Sequence, residues 1–379
     1  MGGRGRTWEA QRARRALLLL TGAVVLAGGL GGCGGGGSEK QALGPEQIVA
    51  KAKPSVVRLQ GETSRGGGVE TVGGSGVVID AKKGLVLTNE HVIAGVTGLT
   101  ATVLDKTDVP ARIVASAPCD DLAVVELTEV PSGVRQMALG NSDALRPGAQ
   151  VTALGYPESV QNPEEETVVS TTGSVSAVDI STQISPTLPN YPSLIQHQAT
   201  INPGNSGGPL VNKFGELVGI NTLVYSGLRG EVQNQSYAIS INHVKPLLPD
   251  LEAGKSRADV GWQLAPVLLV PVSFYSDQIT QGEATRYLAT EGYEKNMFVL
   301  NVTPGSPVNK AAIHFGDLIQ SINGTPVQTV GDVCDIVQSA APGSALRVEG
   351  HYYYARFGTL ASKFGENILW HTKFRVPSD

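Results

Sequence analysis

The hydrophobic positions of this chain fall into short runs that are broken by Gly, Pro, Asn and Asp. Runs of this length and spacing are typical of strands in an antiparallel sandwich or barrel. No stretch between them is long enough to alternate with the strands as βαβ units. Between Pro54 and Leu248 the clearest runs are SVVRL (55–59), SGVVID (75–80), GLVLTN (84–89), LAVVEL (122–127), QVTALG (150–155), GELVGINTLV (215–224) and QSYAISI (235–241).

The pattern changes after residue 241. The amphipathic stretch 242–254 predicts a terminal helix and a linker, and the residues that follow are richer in aromatic clusters. We therefore expect a domain over residues 54–250 and a second domain over 257–379. Residues 33–53 begin with a Gly-rich run and are predicted to form a flexible tether.

The first 32 residues have the pattern of a secretory signal. Five Arg residues precede a 15-residue apolar run, Ala16 to Leu30, which is shorter than the roughly 20 residues of a membrane-spanning helix. The sequence Leu30-Gly31-Gly32-Cys33 resembles a bacterial lipobox, which implies cleavage before Cys33 and lipidation of its sulfur. A plain signal peptide and an uncleaved anchor are the alternatives. The interpretation predicts an extracytoplasmic protein tethered to a membrane through a lipid.

Composition and charge exclude several classes of function. The chain is 41% hydrophobic and 17% charged, so it can bury real cores. Loss of residues 1–32 removes five Arg and one Glu and leaves a net charge of −9. Such an acidic chain lacks the field that attracts nucleic acid, so no nucleic-acid partner is expected.

The remaining Cys and His residues indicate neither a disulfide framework nor a metal site. Cys119 and Cys334 lie far apart in sequence, and whether they pair is left open. No two His residues are three or four positions apart and no Cys pairs occur, so neither a metal nor a cofactor is predicted.

The strongest chemical signal is the sequence Asn202-Pro203-Gly204-Asn205-Ser206-Gly207-Gly208-Pro209. A Ser between glycines can lie on a tight turn with its hydroxyl exposed. Its small neighbours let a substrate carbonyl approach the backbone N–H groups of the turn, which can stabilise an oxyanion. The pattern predicts a nucleophile at Ser206.

A nucleophilic Ser requires a base and a residue that orients the base. His91 follows the strand GLVLTN, and Asp121 directly precedes the strand LAVVEL. An acid at the start of a buried strand can accept a hydrogen bond from an imidazole. The order His91, Asp121, Ser206 is the chymotrypsin-type order.

Residues 54–248 resemble the protease domain of the HtrA/Deg family of trypsin-like serine proteases. The resemblance implies two perpendicular six-stranded β-barrels, with His91 as general base, Asp121 as orienting acid and Ser206 as nucleophile. Gly204 and Asn205, with the Ser206 N–H, would form the oxyanion hole. The matching stretches cover the domain in family order: GSGVVI (74–79), LTNEHVI (87–93), DLAVVEL (121–127), LGNSDALRPGAQVTALGYP (139–157), TTGSVSAV (171–178), INPGNSGGPLVN (201–212), GELVGINT (215–222) and YAISINHVKPLL (237–248).

The resemblance also selects between neighbouring acids and indicates a specificity. The family places its catalytic Asp directly before the hydrophobic strand, which selects Asp121 and leaves Asp120 as a solvated neighbour. By the same resemblance Ile201, Val224 and Tyr225 help to line the substrate pocket. An aliphatic wall implies cleavage after small or medium aliphatic residues, with broad specificity.

Three segments depart from the family pattern. His197-Gln198 stands where relatives usually carry Thr-Asp, which removes an acid and adds a titratable ring. Segments 159–170 and 181–192 replace loops that gate activity in relatives.

Residues 296–338 resemble a PDZ domain. Together, the two resemblances predict a mainly β protein, with a chymotrypsin-like double β-barrel followed by a PDZ-like α+β domain. A PDZ domain binds a chain terminus as an added strand, and its carboxylate loop is expected near residues 260–263. A domain of this shape that serves packing or assembly is the alternative.

The sequence therefore predicts a membrane-tethered serine endopeptidase that cleaves unfolded or damaged proteins through an acyl-enzyme at Ser206. A C-terminal peptide is the expected ligand of the PDZ domain, and a homotrimer is the assembly implied by the family. The alternative hypothesis is a latent or non-proteolytic chaperone or scaffold that uses the same folds to bind polypeptides.

Overall fold

Antiparallel strands joined by turns make up most of the fold. The structure is a computed structural model that describes residues 40–65, 68–104, 106–157, 167–222, 235–271, 280–352 and 369–378. It contains two closed six-stranded barrels and a further sheet flanked by helices. The predicted double barrel followed by an α+β domain is confirmed.

The first barrel has the strand order β1-β2-β3-β6-β5-β4. A tight turn leads into β3, since Asp80 Oδ1 accepts the N–H groups of Lys82 and Lys83 at 2.9 and 3.1 Å. Every residue of β3 is buried, so this strand runs through the core and delivers the chain to the site described below. The strands of the first barrel are β1 (Val56–Arg65), β2 (Gly68–Asp80), β3 (Leu85–Thr88), β4 (Val96–Val103), β5 (Lys106–Ala117) and β6 (Leu122–Leu127).

The second barrel has the order β10-β11-β12-β9-β8-β7. Apolar side chains of both barrels, among them Leu87 and Leu122 of the first and Tyr191 and Ile220 of the second, meet in one buried cluster. The two barrels are therefore held together by a shared core. The strands are β7 (Gln150–Gly155), β8 (Val169–Gln183), β9 (Asn190–His197), β10 (Pro209–Asn212), β11 (Leu217–Thr222) and β12 (Ser236–Ser240).

A helix packs on the barrels ahead of β1. Helix α1 (Pro45–Ala52) buries Ile48 and Ala52 in the shared core, and Lys51 Nζ donates to the carbonyl of Phe214 at 2.7 Å. A polar tether would leave these residues in solvent. The folded part of the chain thus begins before residue 54, earlier than the sequence analysis predicts.

Short helices connect the elements of the barrels and lead out of them. Helix α2 (Glu90–Ile93) follows β3, whereas α3 (Ile241–Val244) and α4 (Leu248–Glu252) follow β12. Residues 41–379 group as one unit by their contacts, so the predicted boundary between residues 250 and 257 stays a prediction.

The C-terminal part is a sheet of order β13-β14-β15-β17-β18, with β16 paired to β15. Helices α5 and α7 each begin with a capping box, formed by Thr280 with Glu283 and by Thr329 with Asp332. The elements are β13 (Trp262–Pro266), α5 (Gln281–Glu291), β14 (Met297–Val302), α6 (Pro307–Lys310), β15 (Asp317–Ile322), β16 (Thr325–Pro326), α7 (Val330–Ser339), β17 (Ala345–Tyr352) and β18 (Leu369–Arg375).

A disulfide joins Cys119 to Cys334, 215 residues apart in sequence. Cys119 lies in a 3₁₀ turn of the first barrel (Pro118–Asp120) and Cys334 lies in α7. The pairing that the sequence left open therefore connects the barrels to the C-terminal sheet.

The predicted signal segment 1–32 and Cys33 lie outside the described residues. Within the described part of the chain, no helix combines the length and apolar character needed to cross a membrane.

The packing of α1 predicts the effect of truncating its buried side chain. We expect Ile48→Ala to lower the free energy of unfolding by about 2–5 kcal/mol, because it removes buried methyl groups and leaves a cavity. Urea denaturation measures this difference. The exposed Glu46→Ala on the same helix is the control, with an expected change within about 0.5 kcal/mol. Equal stability of the Ile48→Ala variant and the parent would show that the helix does not belong to the core.

Candidate active site

The His91 ring lies at the end of β3, on the short helix α2. The N-cap of that helix is Asn89, whose buried Nδ2 donates to the carbonyl of Asp121 at 2.9 Å. His91 Nδ1 lies 2.9 Å from Asp121 Oδ1 and 3.0 Å from Oδ2, and the His91 backbone N–H donates to Oδ1 at 3.1 Å. Ring and main chain are thus both fixed by one carboxylate.

The carboxylate of Asp121 is buried and fully hydrogen-bonded. Tyr191 Oη donates to Asp121 Oδ2 at 2.8 Å, and Thr222 Oγ1 donates to the same oxygen at 3.2 Å. The backbone of Asp121 has a φ of 51°, in the left-handed region, directly after the Pro118–Asp120 turn. A non-glycine residue adopts this conformation only where its surroundings hold it there.

Ser206 lies on a turn that passes close to the end of β3. Gly207 has a φ of 82°, and a Cβ there would lie 2.2 Å from both the Ser75 carbonyl oxygen and Thr88 Oγ1. Only glycine fits this approach. The Gly207 N–H donates to the Asn221 carbonyl at 2.8 Å, and the Ser75 N–H donates to the Ser206 carbonyl at 2.7 Å. The turn therefore places Ser206 between the two barrels.

Ser206 and the helix that carries His91 face one cleft. A Cβ on Gly74 would lie 2.7 Å from Val92 Cγ2 and 3.0 Å from the Ser206 carbonyl oxygen, so these atoms flank the same glycine. Among the described residues, no hydrogen bond joins Ser206 Oγ to His91. Hydrogen bonds between a nucleophile and its base are often long without substrate and tighten when substrate binds.

Two hydrogen bonds fix the backbone around Gly204 and Asn205, the predicted oxyanion hole. Ser75 Oγ donates to the Gly204 carbonyl at 2.7 Å, and the Asn205 N–H donates to the Asn202 carbonyl at 3.0 Å. These two bonds fix the peptide plane between Gly204 and Asn205. Within the described residues the N–H groups of Gly204 and Ser206 donate to no backbone carbonyl. These two N–H groups are the candidate donors of the predicted oxyanion hole.

The electrostatics of the site favour a charged pair of His91 and Asp121. Burial lowers the pKa of His91, but the charge of Asp121 and the hydrogen bond to it outweigh burial and leave the pKa raised. Desolvation, followed by the charge of Asp121, raises the pKa of Glu90 to about 8. Burial, followed by the same charge, raises the pKa of the Tyr191 phenol well above its ordinary value, so Tyr191 remains a donor to Asp121.

Asp120 is not the solvated neighbour that the sequence analysis expects. It is 4% exposed, and its Oδ1 accepts from His243 Nε2 at 2.9 Å. Gln338 Nε2 donates to its Oδ2 at 3.5 Å, and Arg257 Nε lies 3.9 Å from the same oxygen. Asp120 is buried because helix α7 and the segment after α4 cover the turn.

The predicted substrate pocket is described only in part. Ile201 is half-buried against the apolar cluster of the second barrel. Val224 and Tyr225 lie outside the described residues, so the predicted pocket stays a prediction.

The ring of His197 is fully buried in β9, and burial lowers its pKa to about 4. The titratable ring expected from the sequence is therefore neutral near pH 7. The neighbouring Gln198 is exposed and accepts a hydrogen bond from Ser174 Oγ at 2.7 Å.

The sequence analysis missed three side chains that build the site: Ser75, Tyr191 and Thr222. Tyr191 falls in segment 181–192, which the sequence analysis interpreted as a replaced gating loop. Half of this segment is strand, at the end of β8 and the start of β9. Thr222 ends the strand GELVGINT, and its position at a strand end was the one signal that pointed to it.

No three His, Cys, Asp or Glu side chains of the described residues group as ligands for a metal ion.

Comparisons with known proteins assign both domains. A family model described as a trypsin-like peptidase domain matches residues 74–220, and one described as a PDZ domain matches residues 283–350.

Several curated relatives are similar over most of this chain. The serine protease Do-like HtrB of Bacillus subtilis is 32% identical, over 76% of this chain and 64% of its own length. The periplasmic serine endoprotease DegP of Escherichia coli is 34% identical, over 72% of this chain and 53% of its own length. The chain thus spans between about half and two thirds of the length of these relatives.

A solved structure of the HtrA-type protease AlgW with a tripeptide is 25% identical and has a TM-score of 0.50. The match covers 88% of this chain and 96% of the AlgW chain. With both domains matched in this order and several relatives more than 30% identical, the chain belongs to the HtrA/Deg family of trypsin-like serine proteases with a PDZ domain.

Proposed function

We propose that this protein is a serine endopeptidase that cleaves unfolded or damaged polypeptides outside the cytoplasm. The observation that carries the proposal is the hydrogen-bonded pair of His91 and the buried Asp121, which lies beside Ser206 on a glycine turn. The names of the relatives agree with it, since they are called serine proteases.

The chemistry begins with the His91 ring. Because Nδ1 faces the Asp121 carboxylate, Nδ1 carries the proton and Nε2 is left with a lone pair. Nε2 takes the proton of the Ser206 hydroxyl while Oγ forms a bond to the substrate carbonyl carbon. The imidazolium that forms is stabilised by Asp121.

The negative charge that develops on the substrate oxygen is bound by the N–H groups of Gly204 and Ser206. Each such donor is worth roughly 2.7–4 kcal/mol in the transition state. As the intermediate collapses, the C–N bond breaks and His91 gives its proton to the leaving amine. Water, deprotonated by His91, then hydrolyses the ester at Ser206 and regenerates the hydroxyl.

The edge of the C-terminal sheet supports the binding of a peptide by the C-terminal domain. Strand β13 lies at the end of the sheet order, and its outer edge pairs with no strand of the described residues, so it can accept an added strand. Gly261, directly before β13, has a φ of 87°, and its N–H donates to Asp259 Oδ1 at 2.9 Å. We assign peptide binding to this edge and cleavage to the cleft between the barrels.

The location rests on three observations. The first 32 residues have a signal pattern, the Cys119–Cys334 disulfide is typical of oxidising compartments, and a relative is named as periplasmic. Lipidation of Cys33 is a further proposal that rests on the sequence around it. Assembly as a homotrimer rests on the family resemblance alone.

The alternative, a non-proteolytic chaperone or scaffold, is not favoured. It explains neither the polar contacts around Asp121 nor the serine protease names of the relatives.

The proposed nucleophile is tested by Ser206→Ala. The full chain, purified in mild detergent, is incubated with a fluorescently labelled unfolded protein. We expect cleavage by the parent and by Ser132→Ala, an exposed control, and only background cleavage by Ser206→Ala. Equal cleavage by the parent and Ser206→Ala would contradict the mechanism. No cleavage by the folded parent would favour the scaffold.

The hydrogen bond from Tyr191 to Asp121 predicts a loss of rate. Tyr191→Phe keeps the ring in the core but removes the donor, so we expect kcat to fall by about tenfold, a hydrogen bond to a charged group being worth roughly 1.5–3 kcal/mol. KM should change little. Tyr237→Phe, on the neighbouring strand β12, is the control. An unchanged kcat in Tyr191→Phe would show that Asp121 keeps its position without this bond.

The raised pKa of His91 predicts the pH dependence of cleavage. Nε2 acts as a base only when the ring is neutral, so kcat/KM should be low below the His91 pKa and rise as pH passes through it. The midpoint should lie above 6.5, the ordinary value.

A substitution at Glu90 distinguishes its effect on the His91 pKa from the effect of Asp121. Because burial raises the pKa of Glu90 to about 8, Glu90 is mostly uncharged near neutral pH, and Asp121 is the main source of the raised His91 pKa. Glu90→Gln should therefore leave the midpoint of the pH profile nearly unchanged. A midpoint below 6.5 in the parent, or a large shift in the variant, would contradict this account of the site.

A further inference from the structure

One face of helix α7 in the C-terminal domain lies against the first and second barrels. The residues on this face are three, four and seven positions apart, the spacing of neighbours on a helix surface. Cys334 is bonded to Cys119, and Asp335 accepts from Asn190 Nδ2 at 3.2 Å. Further contacts come from Gly331, where a Cβ would lie 2.7 Å from Asn190 Oδ1, and from Gln338, which donates to Asp120.

The two barrel segments that α7 contacts are the two that hold Asp121. Cys119 and Asp120 form the turn that leads directly into Asp121. Asn190 immediately precedes Tyr191, whose phenol donates to Asp121. The opposite side of α7 is packed in the core of the C-terminal sheet through Val333 and Val337. The helix is thus fixed to its own domain and to both supports of the acid.

The backbone of Asp121 is the part of the site that most needs such support. The left-handed region is uncommon for residues other than glycine, although Asp and Asn enter it more readily than the rest, so one fixed geometry at Asp121 requires other contacts. The contacts that impose it include the Asn89 side chain on its carbonyl, the 3.2 Å bond from its N–H to the Pro118 carbonyl, and the covalent anchor at Cys119.

We propose that Cys334 is a positioning residue for the peptidase site: through its disulfide to Cys119, helix α7 of the C-terminal domain holds the turn that presents Asp121 to His91. The inference rests on the proposed function for its kinetic consequence. Both cysteines are buried, 6% exposed for Cys119 and 5% for Cys334, so the bond acts as a fixed structural link.

The test compares the parent with the double variant Cys119→Ser/Cys334→Ser, both as full chains in mild detergent. Kinetics on the labelled unfolded protein separate kcat from KM. Proton NMR follows the downfield signal of the proton between His91 Nδ1 and Asp121, which does not depend on turnover. Thermal unfolding, followed by circular dichroism, sets a temperature at which both proteins are folded.

We expect kcat of the folded double variant to fall by about tenfold to a hundredfold, because small displacements of a catalytic group have effects of that size. KM should stay within about twofold, and the downfield signal should shift or disappear. Lys255→Ala is the control, since it removes an exposed ion pair with Asp250 in the segment between the domains. It should leave kcat and the signal unchanged.

A folded double variant with the kcat and the downfield signal of the parent would overturn the proposal. If the parent does not cleave but the variant loses the signal, the proposed function fails and the positioning role stands. If the double variant does not fold, the parent decides: its kcat and downfield signal are compared before and after reduction of the disulfide, at a temperature at which the protein stays folded. A lower kcat then supports the proposal, and an unchanged kcat overturns it.

Discussion

A buried carboxylate with too few donors is unstable, and the site is organised around satisfying the carboxylate of Asp121. One oxygen accepts from the His91 backbone and ring, and the other accepts from Tyr191 and Thr222. These donors come from α2 of the first barrel and from β9 and β11 of the second. The carboxylate of Asp121 therefore has all of these donors only when the two barrels are packed together. This requirement makes the shared apolar core part of the chemistry.

The same dependence on both barrels holds for the nucleophile. Ser75, on β2 of the first barrel, fixes the Ser206 turn twice, through its N–H to the Ser206 carbonyl and through its hydroxyl to the Gly204 carbonyl. Gly207 makes this approach possible, because any side chain there would meet Ser75 and Thr88. Among the described residues, the hydrogen bond between Ser206 Oγ and His91 is one contact of the proposed site that substrate binding would still have to form.

The sequence was sufficient for features encoded locally. The strand lengths predicted the barrels, and the glycines around Ser206 predicted the tight turn that carries it, because both depend on neighbouring residues. The expected exposure of Ser206 was wrong, since the residue is only 5% exposed where the two barrels meet. Contacts between segments that are distant in sequence could not be predicted from the sequence. Tyr191 was interpreted as part of a replaced loop, since nothing near it in sequence shows that its phenol reaches Asp121. Asp120 was interpreted as solvated for the same reason, because the residues that cover it lie more than a hundred positions away.

The boundary at residue 54 failed for a different physical reason. Residues 45–52 follow a glycine-rich run and carry several polar side chains, so composition argued for a tether. One buried Ile and one buried Ala on a helix face are enough to dock the segment on the core. Amphipathic periodicity over two helical turns is a weak signal, and the glycine-rich composition of the preceding residues indicated a tether more strongly.

Covalent attachment of the C-terminal domain changes what that domain can do. Domains joined by a linker alone move relative to one another unless their interface is large and apolar. Here a disulfide closes a loop of 215 residues, which in the chain-entropy account restricts the unfolded chain by roughly 5 kcal/mol. The polar contacts beside it, from Asp335 and Gln338, are too exposed to hold the domains together by themselves. The disulfide, together with the hydrogen bond from the Val330 N–H to the Pro186 carbonyl at 3.0 Å, keeps α7 against the barrels, and the proposed rigidity of the Asp121 turn depends on a residue from the other domain.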